Sequence, residues 1–528
     1  MNTTLETLDL SILIGYFLLV FGIGFYVARQ NKTGDDLFLG GRSFTWGLIG
    51  LSLFASNISS ATIIGLSGAA YTTGIVNSVY EWMSGVPLII AALIFIPLYL
   101  RAKITTIPEF LEYRYDVRSR IFFSAVTIIM SVIVELAGGL YAGAMVLSIF
   151  FPSLALWQIT LIVACVAAIY TAFGGLKAVV YTDAIQAVIL IIGCSIMTII
   201  LFEKFDYNWA NVVSAAADAG KDANHFSVVR SADDTTLPWP GLLIGVPFLG
   251  FWYWTTNQFI VQRVLGSKNI KQARWGVMLA GFLKVIPLFL MVIPGAMAIG
   301  LYPDLENGDA VFPTLMKEVL PAGLFGLVLA GLVSAVMSSV DSILNSASTL
   351  IVVDFIEPRQ KGISEKQKMN YGRAITFILM VIAAILAPAI QEFPSLWDYL
   401  QQMFSITAPP IVVIFLVGVF YKRGNGSGSF AALTLGTLFG LTLFILQVND
   451  LWHLHYTMNV GLNILFSTVV FVVVSLMTAP PNEETVQKYT YQKELILAGM
   501  EDTKWYQDYR LHSALLVALM GYILFILW

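Results

Sequence analysis

Residues 53–65 read LFASNISSATIIG, a polar cluster from Ser56 to Thr62 inside an apolar stretch. The whole stretch, Trp46 to Ala70, is long enough to cross a membrane, which takes about 20 residues of helix. Serine and asparagine side chains compete with helical hydrogen bonds, so the cluster predicts an unwound segment at mid-membrane depth. Unwound backbone at that depth lines a cavity, where its carbonyls can bind sodium. The open alternative is that these polar groups bond across a close helix contact.

The composition is that of a membrane protein. The chain has 528 residues, of which 58% are hydrophobic and 12% charged, against roughly 25% charged in a soluble domain. Apolar stretches recur from end to end, which predicts an all-α polytopic protein with the lipid bilayer as its solvent. The sequence shows no basic tract or phosphate-cradling glycine loop, and so gives no sign of a nucleic-acid partner. It also shows no nucleophile paired with a base at a plausible depth, so an enzyme is not expected.

Hydropathy predicts about fourteen spans. The seven in the first half are Leu10–Ala28, Trp46–Ala70, Gly74–Leu100, Ile121–Phe150, Leu156–Phe173, Ala178–Phe202 and Gly241–Val261. The seven in the second half are Trp275–Leu301, Gly323–Val353, Ala374–Ile390, Leu396–Phe420, Ser429–Val448, Met458–Leu476 and His512–Trp528.

The basic residues orient these spans. Of 29 Lys and Arg residues, 24 fall in loops on one side, Arg263 among them, and four fall on the other. The positive-inside rule makes the basic side cytoplasmic and places both termini outside. The remaining basic residue, Lys284, lies within the eighth span. A charge at that depth marks a solute or ion pathway, or pairs with another charge.

Four acidic residues also fall deep within spans, and they are Glu81, Glu135, Asp183 and Asp341. Other acids lie close enough to a span end to reach the interface. Glu81 has the opposite sign to Lys284, and the two fit either a polar substrate cavity or a structural ion pair. For Glu135, a site residue and a helix-packing hydrogen bonder remain equally open.

The seventh span is predicted to be broken like the second. It contains Pro247, Gly250 and the run WYWTTNQ at residues 252–258, where aromatic side chains fit solute stacking, a gate or interface anchoring. The second span begins inside and the seventh begins outside. Two five-helix units starting at these spans would therefore have inverted topology, as in many secondary transporters.

The ninth span carries polar side chains on one face. Ser338, Asp341 and Ser342 fall at positions i, i+3 and i+4, so two hydroxyls and a carboxylate share that face. Hard oxygen ligands of this kind favour an alkali-cation site over packing hydrogen bonds.

Taken together, these motifs resemble the sodium/solute symporter family, in particular its sodium/glucose and sodium/galactose cotransporter branch. The matching runs are ASNIS at 55–59, YEWMS at 80–84, TIPEF at 106–110, GGL at 174–176 with Tyr181, Thr182, Asp183 and Gln186, NQ at 257–258 with Gln262 and Arg263, and Ser338 to Ser348. The resemblance implies a leucine-transporter type of fold, with one leading helix, two inverted five-helix repeats and three trailing helices. The corresponding regions are 1–45, 46–203, a loop at 204–240, 241–420 and 421–528.

The resemblance also implies the sites. The main sodium ion would bind the backbone oxygens of Ala55, Ile58 and Ala335 and the hydroxyls of Ser338 and Ser339, with Asp183 on its exit path. A second ion would lie between Asp183 and the positions of Asp341 and Ser342. The substrate set would comprise Glu81, Lys284, Gln401, the gate residue Tyr253, Trp254, Thr62 and Asn57. Thr62 and Gly250 stand where a bacterial galactose carrier has amide side chains, which leaves the identity of the sugar open.

The resulting hypothesis is a plasma-membrane symporter that couples sodium entry to import of a small polar solute, a glucose- or galactose-like sugar. Inositol, sialic acid and a sodium-gated sensor without transport are the alternatives. The sequence makes no prediction of oligomeric state.

Overall fold

The computed structural model describes residues 6–29, 33–148, 151, 153–305, 307–360, 362–392, 396–500 and 503–528. Within these ranges the chain is helical and forms no β-strand beyond an isolated bridge between Phe44 and Ser267. The predicted end of the fourth span, Phe150, lies outside the described residues.

The principal helices are numbered along the chain. They are α1 (Thr7–Ala28), α2 (Trp46–Asn57), α3 (Ser60–Thr72), α4 (Ile75–Ala102), α5 (Ile107–Arg114), α6 (Val117–Ser148), α7 (Leu156–Glu203), α8 (Trp209–Asp218) and α9 (Trp239–Thr255). They continue with α10 (Gln258–Leu265), α11 (Ile270–Leu301), α12 (Val311–Val319), α13 (Leu324–Ile356), α14 (Glu365–Ile390), α15 (Leu396–Val412), α16 (Gly426–Val448), α17 (Tyr456–Met477) and α18 (Tyr509–Ile526).

Eleven helices in the described part of the chain are long and apolar enough to cross a membrane, and α2 with α3 forms a twelfth span bent by 59°. The two further predicted spans fall on irregular helices. The fifth and sixth share the helical run α7, in which Gly175 leaves the helix with φ 62° and ψ −175°. The seventh is divided between α9 and α10. The total of fourteen therefore stays a prediction.

Burial separates central helices from peripheral ones. The most apolar window of α13 is 89% buried, whereas the corresponding window of α18 is 22% buried. Helix α13 packs along α7, and α2 packs against both α7 and α11. The polar face of the ninth predicted span therefore lies inside the bundle, next to the bent α2–α3 pair.

Helix α11 is interrupted at Lys284. Its regular α-helical part ends at Leu283, and a π-helical turn begins at Leu288. Pro287 explains the interruption, because proline has no N–H for the carbonyl of Leu283 and its ring clashes with that carbonyl. The break places Lys284 in the distorted part of the helix, within the predicted eighth span.

His225 joins the segment between α8 and α9 to the end of α3. Its Nε2–H donates to the carbonyl oxygen of Ala70 at 2.8 Å, which identifies the neutral Nε2–H tautomer. Burial, reinforced by the charges of Lys221 and Arg230, lowers the pKa of His225 to about 4. The unfolded chain, with a His pKa of about 6.5, binds a proton in this range that the native protein does not.

Stability linked to His225 is therefore fully present above about pH 6.5 and is lost as the pH falls towards 4. We expect the thermal unfolding midpoint in detergent to be a few degrees lower at about pH 5 than at about pH 7.5, and less so in His225→Gln. The control His453→Gln, at an exposed position, should keep the wild-type difference. An unchanged pH dependence in His225→Gln would contradict this role.

Candidate functional site

The break between α2 and α3 releases backbone carbonyls. Ile58 leaves the helix with φ −82° and ψ 80°. In a continuous helix the carbonyls of Ala55 and Ile58 would accept from the amides of Ser59 and Thr62. Those amides bond elsewhere: Ser59 N–H donates to Asn57 O at 3.0 Å, and Thr62 N–H donates to Ser59 Oγ at 3.1 Å. Both predicted sodium-binding carbonyls are therefore freed from helical bonding.

The polar face of α13 lies against this break. The Ser339 hydroxyl donates to Ser56 O at 3.5 Å, and the Oγ atoms of Ser56 and Ser338 are also 3.5 Å apart. Ala335 lies on the same face, one turn before Ser339, and is buried. The structure thus brings the predicted sodium ligands of α2 and α13 together. Their chemistry fits sodium, because neutral carbonyl and hydroxyl oxygens are the hard ligands that an alkali cation takes.

Asp183 of α7 lies beside Ser56 and Ser338 and is fully buried. Its carboxylate accepts from Ser52 at 2.5 Å, from Ser56 at 3.0 Å and from Ser338 at 2.6 Å. The guanidinium of Arg263 forms an ion pair with it, Nη2 to Oδ2 at 3.2 Å. Asp183 is therefore the acceptor at the centre of a network that joins α2, α7, α10 and α13.

Arg263 corrects the charge count. The sequence placed it in a cytoplasmic loop, whereas it lies on α10 with no exposed surface. Besides Asp183, it donates to Ser52 Oγ at 2.7 Å and to the hydroxyls of Ser56 and Ser342. Hydropathy missed it because the predicted span ends at Val261, and the polar pair Gln262 and Arg263 then looks like the start of a loop. Arg114 and Arg274 were also counted in loops and are buried on helices. Without these three the asymmetry is still 21 to four.

The two other residues predicted for a second ion differ in their contacts. Ser342 donates to the carbonyl of Ser338 and receives the Arg263 bond. Asp341 is fully buried, and its Oδ2 is without a hydrogen-bond partner among the described residues. Arg263 thus contacts one side of the predicted second site, at Asp183 and Ser342, and Asp341 leaves an oxygen free on the other.

Glu81, Asn57 and Lys284 meet at the break in α11. The ammonium of Lys284 donates to Glu81 Oε2 and to Asn57 Oδ1, and it lies 5.7 Å from the centre of the Trp254 ring. Lys284 has no exposed surface. A buried charge needs a partner of this kind, so the three helices α2, α4 and α11 are tied together at their polar points.

A cavity of about 120 Å³ connects the serines of α2 and α13 with Glu81. One water needs at least about 10–15 Å³, so the cavity has room for several waters or for groups of similar size. Its walls include the predicted substrate residues Asn57, Thr62, Glu81, Tyr253, Trp254 and Gln401, and the predicted sodium ligand Ser339. Lys284 lies behind Glu81, where it bonds that carboxylate.

Two further residues line the cavity. For Glu135 the sequence left a site residue and a packing hydrogen bonder open, and for Trp397 it predicted no role. Glu135 of α6 accepts from Asn257 Nδ2 at 2.8 Å and from Ser131 Oγ at 3.1 Å. Trp397 of α15 is buried with an indole N–H that has no partner among the described residues. The sequence signal for Glu135 was that a charged residue stands alone in an apolar span. For Trp397 no signal existed, since tryptophan recurs throughout the sequence.

Two broken helix pairs, α2–α3 and α9–α10, face a central cavity that has freed carbonyls and a buried serine face. This arrangement is that of a secondary active transporter. The chain belongs to the sodium:solute symporter family, whose model matches residues 37–436. It is 33% identical to sodium/glucose cotransporter 4 of Danio rerio, over 92% of this chain and 81% of the relative. It is 34% identical to sodium/myo-inositol cotransporter 2 of Homo sapiens, over 92% and 79%.

Solved structures confirm the predicted fold class. A sodium-coupled sialic acid symporter in a substrate-bound outward-open state has a TM-score of 0.79 and 25% identity, covering 90% of this chain and 99% of that one. Mhp1, a nucleobase-cation-symport-1 family transporter, has a TM-score of 0.57 at 13% identity, covering 87% and 99%, and supports the fold alone. The protein is thus an all-α, multi-pass, sodium-coupled transporter of the leucine-transporter type, and not an enzyme.

Proposed function

We propose that this transporter imports a sugar of the glucose or galactose type together with sodium. The observation that carries the proposal is the cavity in which Glu81, with Lys284 behind it, and Gln401 face aromatic rings. Sugar hydroxyls both donate and accept, and a carboxylate, an amide and an ammonium together serve both needs. The free indole N–H of Trp397 adds a donor for a sugar oxygen. The names of the glucose-transporting relatives support the same solute class.

In this proposal the main sodium ion binds the carbonyls of Ala55, Ile58 and Ala335 and the hydroxyls of Ser338 and Ser339. Asp183 lies on the ion's way to the cytoplasm, and a second ion binds between Asp183, Asp341 and Ser342 by displacing the guanidinium of Arg263. Tyr253 and Trp254 close the cavity on its inner side. Asn57 connects both sites, because its neighbours bind the ion while its side chain bonds Lys284.

The proposal also fixes topology. Both termini lie outside a plasma membrane, and the five-helix units 46–203 and 241–420 form the inverted repeats between the leading helix and the three trailing helices. External sodium stabilises the outward-open state, the sugar binds between the repeats, and their relative rocking opens the cavity to the cytoplasm. Ion and sugar then strengthen each other's binding reciprocally.

Uptake into proteoliposomes tests this coupling. A transporter accumulates glucose or galactose against its gradient when sodium is outside, whereas a sensor does not. We expect Ser339→Ala to raise the sodium concentration for half-maximal uptake by about tenfold, the equivalent of one lost ion ligand worth about 1.4 kcal/mol. Ser348→Ala, a buried serine farther along α13, is the matched control. Equal sodium dependence in Ser339→Ala and wild type would refute the assignment.

A second candidate solute is myo-inositol. Thr62 and Gly250 line the cavity at the positions where a bacterial galactose carrier has amide side chains. Relatives named sodium/myo-inositol cotransporter 2 are as similar to this chain as the glucose carriers are. Competition between labelled glucose and unlabelled inositol distinguishes them. Complete inhibition by inositol at concentrations well below those of unlabelled glucose would favour the polyol.

A further inference from the structure

Among the described residues, two carboxylates line the cavity, those of Glu81 and Glu135, and one ammonium lies close to it. Lys284 bonds Glu81 and lies behind it, so that pair is internally neutral. In the described part of the chain Glu135 forms no ion pair, and it accepts hydrogen bonds from the neutral side chains of Asn257 and Ser131.

A carboxylate held only by neutral donors has no counter-charge. Burial at membrane depth disfavours its charged form, so the cavity favours a solute whose positive charge offsets it. Glu81, Glu135 and Tyr253 all line the cavity, so a bound solute is exposed to both carboxylates.

The rest of the wall suits a cation as well. Trp252 and Phe404 have ring centres 4.8 Å apart, and Tyr80 meets Trp397 edge-on at 5.5 Å. All four rings line the cavity. Aromatic faces attract an ammonium group, and more strongly where water is excluded.

We infer that Glu135 makes this transporter prefer sugars that carry a protonated amine, an amino sugar such as glucosamine, over neutral sugars of the same size. The inference rests on the proposed function and refines its solute class. The ammonium pairs with Glu135 between the aromatic rings, while the hydroxyls bind at Glu81 and Gln401. By the same electrostatics the cavity rejects solutes with a carboxylate, such as sialic acid.

The test measures sodium-dependent glucose uptake in proteoliposomes at about pH 6.5, where the amine of glucosamine is protonated. Glucosamine, N-acetylglucosamine and sialic acid are the competitors. N-acetylation removes the charge and keeps the ring, so the inhibition ratio of the two amino-sugar derivatives reports the charge interaction. We expect glucosamine to inhibit at about tenfold lower concentration, and sialic acid to inhibit least.

In Glu135→Gln the glucosamine preference should disappear, because the amide keeps a hydrogen-bond acceptor for Asn257 but loses the charge. Glu318→Gln, at an exposed position, should keep the wild-type ratio. Equal inhibition by both derivatives in wild type, or an unchanged ratio in Glu135→Gln, would overturn the inference while glucose uptake upheld the proposed function. If no sugar is accumulated, titration of tryptophan fluorescence with glucosamine and glucose decides, and equal or absent responses would overturn the inference too.

Discussion

Replacing Lys284 with methionine should reduce sodium-dependent solute uptake by at least about 100-fold. The substitution removes the partner of Glu81, which is 3% exposed, and removes the donor to Asn57. Breaking a buried ion pair at one side typically costs about 3–5 kcal/mol, because the other charge is left uncompensated. Asn57 is the last residue of α2, next to the unwound segment, so the change should reach the proposed sodium ligands as well as the cavity. Initial uptake rates in proteoliposomes, normalised to inserted protein, measure the effect.

Two variants separate loss of function from loss of fold. The double variant Glu81→Gln/Lys284→Met removes both charges, and we expect it to regain much of the thermal stability in detergent without regaining transport. Lys317→Met removes an exposed lysine at the end of α12 and should leave both quantities unchanged. Wild-type uptake in Lys284→Met would show that the Glu81–Lys284 pair only holds helices together.

Local chemistry explains why the broken helices and the polar face of α13 could be predicted from sequence. The serine cluster after Phe54 competes with helical bonds wherever it is placed. In the seventh span the helix runs through Pro247 and ends at Thr255, and the side chain of Asn257 caps the next helix. Ser338 and Ser339 needed only helical periodicity to share a face with Ala335. The opposite charges of Glu81 and Lys284 were visible because each stands alone in an apolar span.

Other features depend on partners far along the chain and were out of reach. Arg263 pairs with a carboxylate 80 positions away, and a hydropathy window registers only its polar neighbours. The fifth and sixth predicted spans are separated by one residue, Gly175, which has a positive φ inside a single helical run. The lengths of the apolar stretches do not show that one residue makes this separation. Which face of α6 carries Glu135 into the cavity follows from packing, so its role remained open until the helices were assembled.

Replacing Arg263 with methionine should destabilise the folded protein strongly, by about 3–5 kcal/mol, and should make its stability depend on sodium. The guanidinium is the single cation paired with Asp183 among the described residues, and three serine hydroxyls point at it. Its removal leaves a fully buried carboxylate without a counter-charge. We expect sodium to be the cation that then reaches Asp183, since the proposed main ion site includes Ser338, which donates to Asp183. A cation that binds the folded state stabilises it in proportion to the logarithm of its concentration once the site fills.

The measurement is the thermal unfolding midpoint in detergent with sodium chloride or with a bulky organic cation at equal ionic strength. We expect a low midpoint for Arg263→Met in the organic cation, a partial recovery in sodium, and a larger sodium effect than in wild type. Arg263→Met/Asp183→Asn removes the stranded charge, so it should be more stable than the single variant and should lose the extra sodium effect. If sodium stabilises the single variant no more than wild type, Asp183 does not bind a second ion, and its charge serves only to hold α10 against α7. If instead the extra effect appears and vanishes in the double variant, Arg263 and the second sodium ion compete for one carboxylate, and the ion must displace the arginine during transport.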